Sequence, residues 1–408
     1  MDNKRLQKYA ELIAKCGLNV QKDQLVYIKC ELDQPDFITM VVEECYKLGA
    51  KRVVVKWMHQ PVTKLNFNYR SLETLSTVTD VTKAEFEEQV KEMACRLIIE
   101  SEDPDGLAGV DHEKVAKANM AIYPIIKPYK DKLENRQQWC IAAVPGKKWA
   151  KKVFPKLSED EAVEKLWENI LKAARVTDDP VKEWEKHNAE LKKHCKILND
   201  YKFKYLEYKS SIGTDFKVGL NPRGKWSGGR DVALGSEIGF NPNIPSEEAF
   251  TSPLRGVAEG KVVATKPLSY QGQLIENFSL TFKDGKVVEV HAEKNEALLK
   301  QMVAMDEGAA YLGECALIGY DSPINNTGIL FYNTLFDENA SCHLALGRGF
   351  NDCLEGYENM TIEECEKAGI NSSMIHVDFM IGSRDMSIVG ITNDGKRVQI
   401  FKNGDWVI

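Results

Sequence analysis

Near residue 200 the chain changes its pattern, and the two patterns demand different sheets. Before that point, strand-like apolar runs alternate with stretches of helical spacing. "QLVYIK" (24–29) reads as a strand. "PDFITMVVEECYKLG" (35–49) carries apolar residues at helical spacing and stops at Gly49, and "RVVVKW" (52–57) is a second strand. "CRLIIES" (95–101) and "WCIAAVP" (139–145) repeat the strand signal. Such alternation predicts parallel strands joined by helical crossovers. From Ser158 to Leu198 the chain is helical and highly charged, which reads as a solvated connector. Beyond it come short β-type runs broken by Asp-Gly and Asn-Gly pairs, as in "FKDGKVV" and "TNDGKRVQIFKNGDWVI". These pairs are hairpin signals. The expectation is an α/β N-terminal domain with helical connector over 1–197, and an α+β C-terminal domain with a mainly antiparallel sheet over 198–408. A length of 408 residues exceeds one ordinary core and agrees with two domains.

No G-x-G-x-x-G or P-loop opens any helix, so nucleotide binding has no support. The net charge of −7 and pI of about 5.7 leave no basic excess to neutralise a phosphate backbone, which argues against a nucleic-acid partner. The N-terminus is charged and helical in period, unlike a signal peptide, and no apolar run approaches the roughly 20 residues of a membrane span. A cytoplasmic protein without a membrane partner is expected. Ten cysteines are scattered without a C-x-x-C pair. They read as buried, reduced thiols, so any metal must be held by nitrogen and oxygen.

His59, His112, His187 and His194 lie among no clustered carboxylate motif and read as surface or satisfied core residues. The second half is different. "NIPSEEAFTSP" (243–253) holds Glu247 and Glu248, either as the acidic first turn of a helix capped by Ser246 or as functional carboxylates. "YLGECALIG" (311–319) puts Glu314 in an apolar stretch, where a carboxylate is costly unless paired or metal-bound. "LFDENASCHLALGRGF" (335–350) holds Glu338 and His343. "MIHVDFMIGS" (374–383) holds His376 and Asp378, two apart on a strand and so facing one way. A set of four carboxylates and two imidazoles repels itself if left bare. Mixed ligation of this kind suits zinc, cobalt or manganese, and so many carboxylates favour two ions over one.

The motifs "GTDF", "NIPSEEAFTSP", "GECALIG", "NTLFDENASCHLALG" and "HVDFMIGS", in this order, resemble the aminopeptidase T / aminopeptidase S family of metallo-aminopeptidases, PepS-type enzymes included. The likeness runs along nearly the whole chain. Glu248 to Glu314 is 66 positions, Glu314 to His343 is 29, and His343 to His376 is 33. The resemblance implies release of the N-terminal residue of peptides with two divalent metal ions. Ligands would be Glu248, Glu314, His343, His376 and Asp378, with Glu338 a further acidic residue at the metals. Glu248 and Glu314 would also serve catalysis, and Glu247 would either support the site or cap. The metal site would lie in the C-terminal domain of a homodimer. One position departs: the family tyrosine seven residues after His343 is Phe350 here, and a phenyl ring neither ligates metal nor donates a hydrogen bond. Tyr357 is the nearby phenol that could reach in to replace it. Two other readings stand beside the aminopeptidase: a catalytically weakened or silent peptide binder, and a dimetal hydrolase of another amide.

Overall fold

The computed structural model describes residues 2–408 and divides by contacts into two compact units. The first runs to Trp184 and adds Arg230–Pro245; the second is Glu185–Gly229 with Ser246–Ile408.

The first unit is built on a four-stranded parallel sheet in the order Arg52–Met58, Leu25–Glu31, Cys95–Glu100, Trp139–Ala143. These are the expected strands. The helix Pro35–Lys47 starts on a proline at its first turn and buries Phe37, Ile38, Val41 and Cys45, which recur at helical spacing. The charged connector is not solvated as expected. Helix Glu159–Ala173 opens on a Ser158–Glu161 capping box and buries Ala162, Leu166, Trp167, Ile170 and Leu171. Trp167 meets the rings of Tyr9 and Phe37 edge-on, at centroid distances of 6.4 and 5.4 Å. Its charges occupy one face and its apolar residues the other. The next helix, Pro180–Tyr201, runs unbroken through the expected boundary at 197/198, and the contact division falls earlier, after Trp184. Trp184 is fully buried, its indole N–H donating to the Ala174 carbonyl at 2.8 Å.

The second unit holds two antiparallel sheets, one of nine strands and one of four. In the larger, Asp284-Gly285 and Asn403-Gly404 turn two hairpins, with positive φ at both residues of each pair. That is the geometry a two-residue hairpin requires. The smaller sheet has the order His376–Met380, His343–Gly347, Leu312–Leu317, Ala249–Thr251. Alternation along its strands sends Cys315, Leu317, Leu344, Leu346 and Phe379 into the apolar core, where Phe379 meets Phe278 of the larger sheet at 5.9 Å. The residues between them face the other way. No described helix is long and apolar enough to cross a membrane.

Candidate metal centre

The four-stranded sheet converges the candidates by register. Glu314 pairs with Ala345, and Ala345 with Asp378, so one row across three strands reads Glu, Ala, Asp. His343 lies two residues from Ala345, and His376 two from Asp378, so all four polar groups share the face opposite the core. Glu248 reaches the same place from the segment preceding the Ala249–Thr251 strand. It does not begin a helix, which settles the capping alternative against Ser246.

The atoms meet closely. His376 Nε2 lies 3.2 Å from Glu314 Oε2 and 3.3 Å from Asp378 Oδ1. His343 Nε2 lies 3.4 Å from Glu248 Oε2 and 3.9 Å from Asp378 Oδ1. Glu248, Glu314, His343 and Asp378 are buried, and His376 is partly open. Two groups of three have ligand atoms within 4.8 Å of one another: Glu248, Glu314, His343, and Glu314, His376, Asp378. Glu314 belongs to both. Glu338 is in neither, but its charge is felt with those of Asp378, Glu248 and Glu314.

Each imidazole has one nitrogen committed elsewhere. His376 Nδ1 donates to the Arg348 carbonyl at 2.7 Å, and His343 Nδ1 faces the Ser341 carbonyl at 3.4 Å. A carbonyl only accepts, so the proton sits on Nδ1 and the Nε2 lone pair points at the carboxylates. Gly347 makes the His376 arrangement possible: its φ is +101°, and a Cβ there would meet the Ile375 carbonyl oxygen at 2.1 Å.

With neutral imidazoles, acceptors therefore face acceptors. Asp378 Oδ1 is buried and receives no hydrogen bond, although both imidazoles are near. Burial, reinforced by Glu314 and Asp378, pushes the Glu248 carboxyl well above the usual carboxylate range. Burial and the same neighbours raise Glu338 likewise. Burial opposes charge on His376, but Asp378 and Glu314 outweigh it and hold the imidazole well above its ordinary value. Asp378 is lowered because His376 and His343 outweigh its own burial. Without a cation, this cluster gathers protons. Carboxylate oxygens and imidazole nitrogens aimed at one volume, with an orphaned oxygen among them, fit a divalent metal.

The remaining candidates fall nearby or elsewhere. Phe350 lays its ring 4.9 Å from that of His376 and edge-on to Phe250 at 5.6 Å. Tyr357 does not take its place: it packs with Leu354, Cys365 and Ile370, and Lys225 lies over its ring. Glu247 turns to His187, with Oε2 3.9 Å from Nε2. His187 is a buried residue with no signature in the sequence, since its partner is 59 positions away. Nine of the ten cysteines are buried and Cys16 is half-buried.

The family profile of the thermophilic metalloproteases (M29) matches residues 2–406. Aminopeptidase AmpS of Bacillus subtilis is 42% identical over 99% of this chain and 98% of its own length. Aminopeptidase PepS of Streptococcus thermophilus is 43% identical over the same shares. The solved structure of wild-type AmpT from Thermus thermophilus superposes with a TM-score of 0.91 at 37% identity, covering 100% of both chains. Likeness along the whole length, joined to a cluster built for a cation, places the chain in the M29 metalloprotease family as a metallo-aminopeptidase.

Proposed function

We propose that this enzyme releases the N-terminal residue of peptides with two divalent ions, one held by Glu248, Glu314 and His343 and the other by Glu314, His376 and Asp378. Glu314, common to both groups, would serve both ions. The observation that carries the reading is the convergence of acceptors: two Nε2 lone pairs and the orphaned Asp378 Oδ1 aim at one volume. Nitrogen and oxygen donors suit zinc, cobalt or manganese. Ions bound there would polarise the peptide carbonyl and supply a hydroxide nucleophile near neutral pH. The Arg348 and Ser341 carbonyls keep the imidazoles oriented. Glu338, half-buried beside the ligands, is the carboxyl suited to hold a proton and pass it to the leaving amine. Glu247 suits the substrate's α-ammonium group. The resemblance adds a homodimer, a state that sedimentation would check.

Stripped protein reloaded with each metal is the test. Two ions per chain and free amino acid released from short peptides, with N-acetylated peptides resistant, are expected. Glu314→Gln, which alters the shared ligand, should lower the content of both ions and abolish release while the fold persists. Full occupancy and activity in Glu314→Gln would sink the ligand assignment. Equal cleavage of blocked and free peptides would sink the exopeptidase reading.

A further inference from the structure

Of the five proposed ligands, Glu248 alone lies outside the strands of the sheet, on an irregular stretch that register does not hold. Other contacts fix it. On one side stands His187, from the helix Pro180–Tyr201, its Nε2 2.7 Å from the Ser246 carbonyl oxygen. That carbonyl only accepts, so His187 is the donor. On a second side the Glu247 backbone N–H donates to Asn339 Oδ1 at 2.7 Å. Asn339 is fully buried, and its Nδ2 donates to the Leu335 carbonyl at 2.9 Å and to Glu338 Oε1 at 3.3 Å. On a third side Gly228 comes so near that a Cβ would meet the Glu248 carbonyl oxygen at 2.3 Å. The neighbouring Ser227 and Phe250 exchange both backbone hydrogen bonds, at 2.9 and 2.8 Å.

We infer that His187 and Asn339 are positioning residues for the ion held by Glu248, Glu314 and His343; the inference rests on the two-ion reading above. The two side chains grip the residues immediately before Glu248, one from before the segment in the chain and one from after it. Losing either donor or acceptor leaves a buried backbone group unpaired, and the segment relaxes toward water or another partner. The Glu248 carboxylate then moves off its ligand position. Glu314, His376 and Asp378 are held by strand register and do not depend on this grip. The consequence is selective: one ion weakens and the other does not.

The full chain, stripped of metal, is titrated calorimetrically with Zn2+ and separately with Mn2+, with bound ions counted by elemental analysis and stability followed by urea. His187→Phe keeps a ring without the donor, His187→Gln restores an amide N–H, and Asn339→Leu removes the acceptor. Wild type is expected to bind two ions. His187→Phe and Asn339→Leu should weaken one of them by roughly 10–100-fold and leave the other unchanged. His187→Gln should recover most of the loss, and excess metal should return kcat in all three. Wild-type affinity for both ions in His187→Phe overturns the inference, as does an equal loss of both ions in step with lost stability. Should Asn339→Leu fail to fold, the His187 pair alone decides. Fewer than two ions in wild type overturns the two-ion reading and this inference with it, a failure visible before any variant is made.

Discussion

His376 divides its two nitrogens between structure and chemistry, and its surroundings show how little of a site one residue reveals by itself. The pairing of His376 with Asp378 was legible, because strand alternation fixes which side chains share a face. The Arg348 carbonyl that sets the tautomer was not, since it is a backbone atom 28 positions away with no side-chain signature. Nor was the role of His187, whose partner is a carbonyl. Phe350 carries the first prediction. A phenyl ring against His376 offers no donor to a developing oxyanion, and one such donor commonly contributes roughly 10²–10³ in turnover. Phe350→Tyr should therefore raise kcat more than it changes KM, up to that range, in steady-state kinetics on a small peptide panel. A changed residue preference with no gain in the best kcat would mark Phe350 as a wall for the substrate side chain instead. A second prediction concerns His194, which stacks on Trp406 at 4.1 Å with its Nδ1 buried and unpaired. Burial lowers its pKa below the ordinary value of 6.5. The unfolded chain then binds the proton more readily, so this group removes stability as pH falls through 6.5 and below. His194→Phe keeps the stack and drops the titration. Its urea midpoint should fall less than that of wild type between neutral and mildly acid pH; an equal fall would refute the account.

At the scale of elements, strands declare themselves in the sequence more plainly than the buried faces of charged helices. Period-two alternation and Asp-Gly or Asn-Gly turns name a hairpin locally, and the sheets follow from them. The connector is charged when read along the segment but amphipathic when read around the helix, where Ala162, Leu166 and Ile170 line one face. The stretch before Glu248 was ambiguous for another reason: Ser-Glu-Glu suits a helix start and a functional loop equally, and only tertiary contacts separate them. Ala345 brings out what the sheet contributes. It stands between Glu314 and Asp378 in the register row and is fully buried, so its small side chain leaves the space that ions need. Ala345→Leu should fill that space and abolish metal binding, while overpacking costs about 1–3 kcal/mol. Ala345→Gly should keep the metal, with a loss of roughly 0.5–1 kcal/mol for glycine in a strand. Calorimetric titration beside thermal melting checks both. Wild-type metal affinity in Ala345→Leu would mean the ions lie away from this row.

For the whole molecule, the change of pattern near residue 200 located two architectures but not how the chain shares itself between them. The first unit ends at Trp184 and takes back Arg230–Pro245 from the midst of the second. Composition gives no sign of this, because the returning segment is short and its partners lie about a hundred residues or more earlier. Ile141 N–H donates to the Pro242 carbonyl at 2.7 Å, and Ile244 N–H to the Ile141 carbonyl at 2.9 Å, which extends the sheet past its Trp139–Ala143 edge. Asn241 N–H reaches the Cys16 carbonyl at 2.9 Å. Phe240 and Ile244 are buried, with Ile244 against Gly17. Burying two such side chains stabilises by about 1.5–3 kcal/mol each. Domains keep only about 5–15 kcal/mol in all. A fragment cut at the expected boundary, residues 1–197, should therefore unfold at low urea or populate a dye-binding, loosely packed state. Residues 1–184 joined through a flexible linker to 230–245 should regain a cooperative transition at a higher midpoint. Circular dichroism and dye fluorescence on the two fragments decide the matter. Equal midpoints would mean that the returning segment lies on the unit without supporting it.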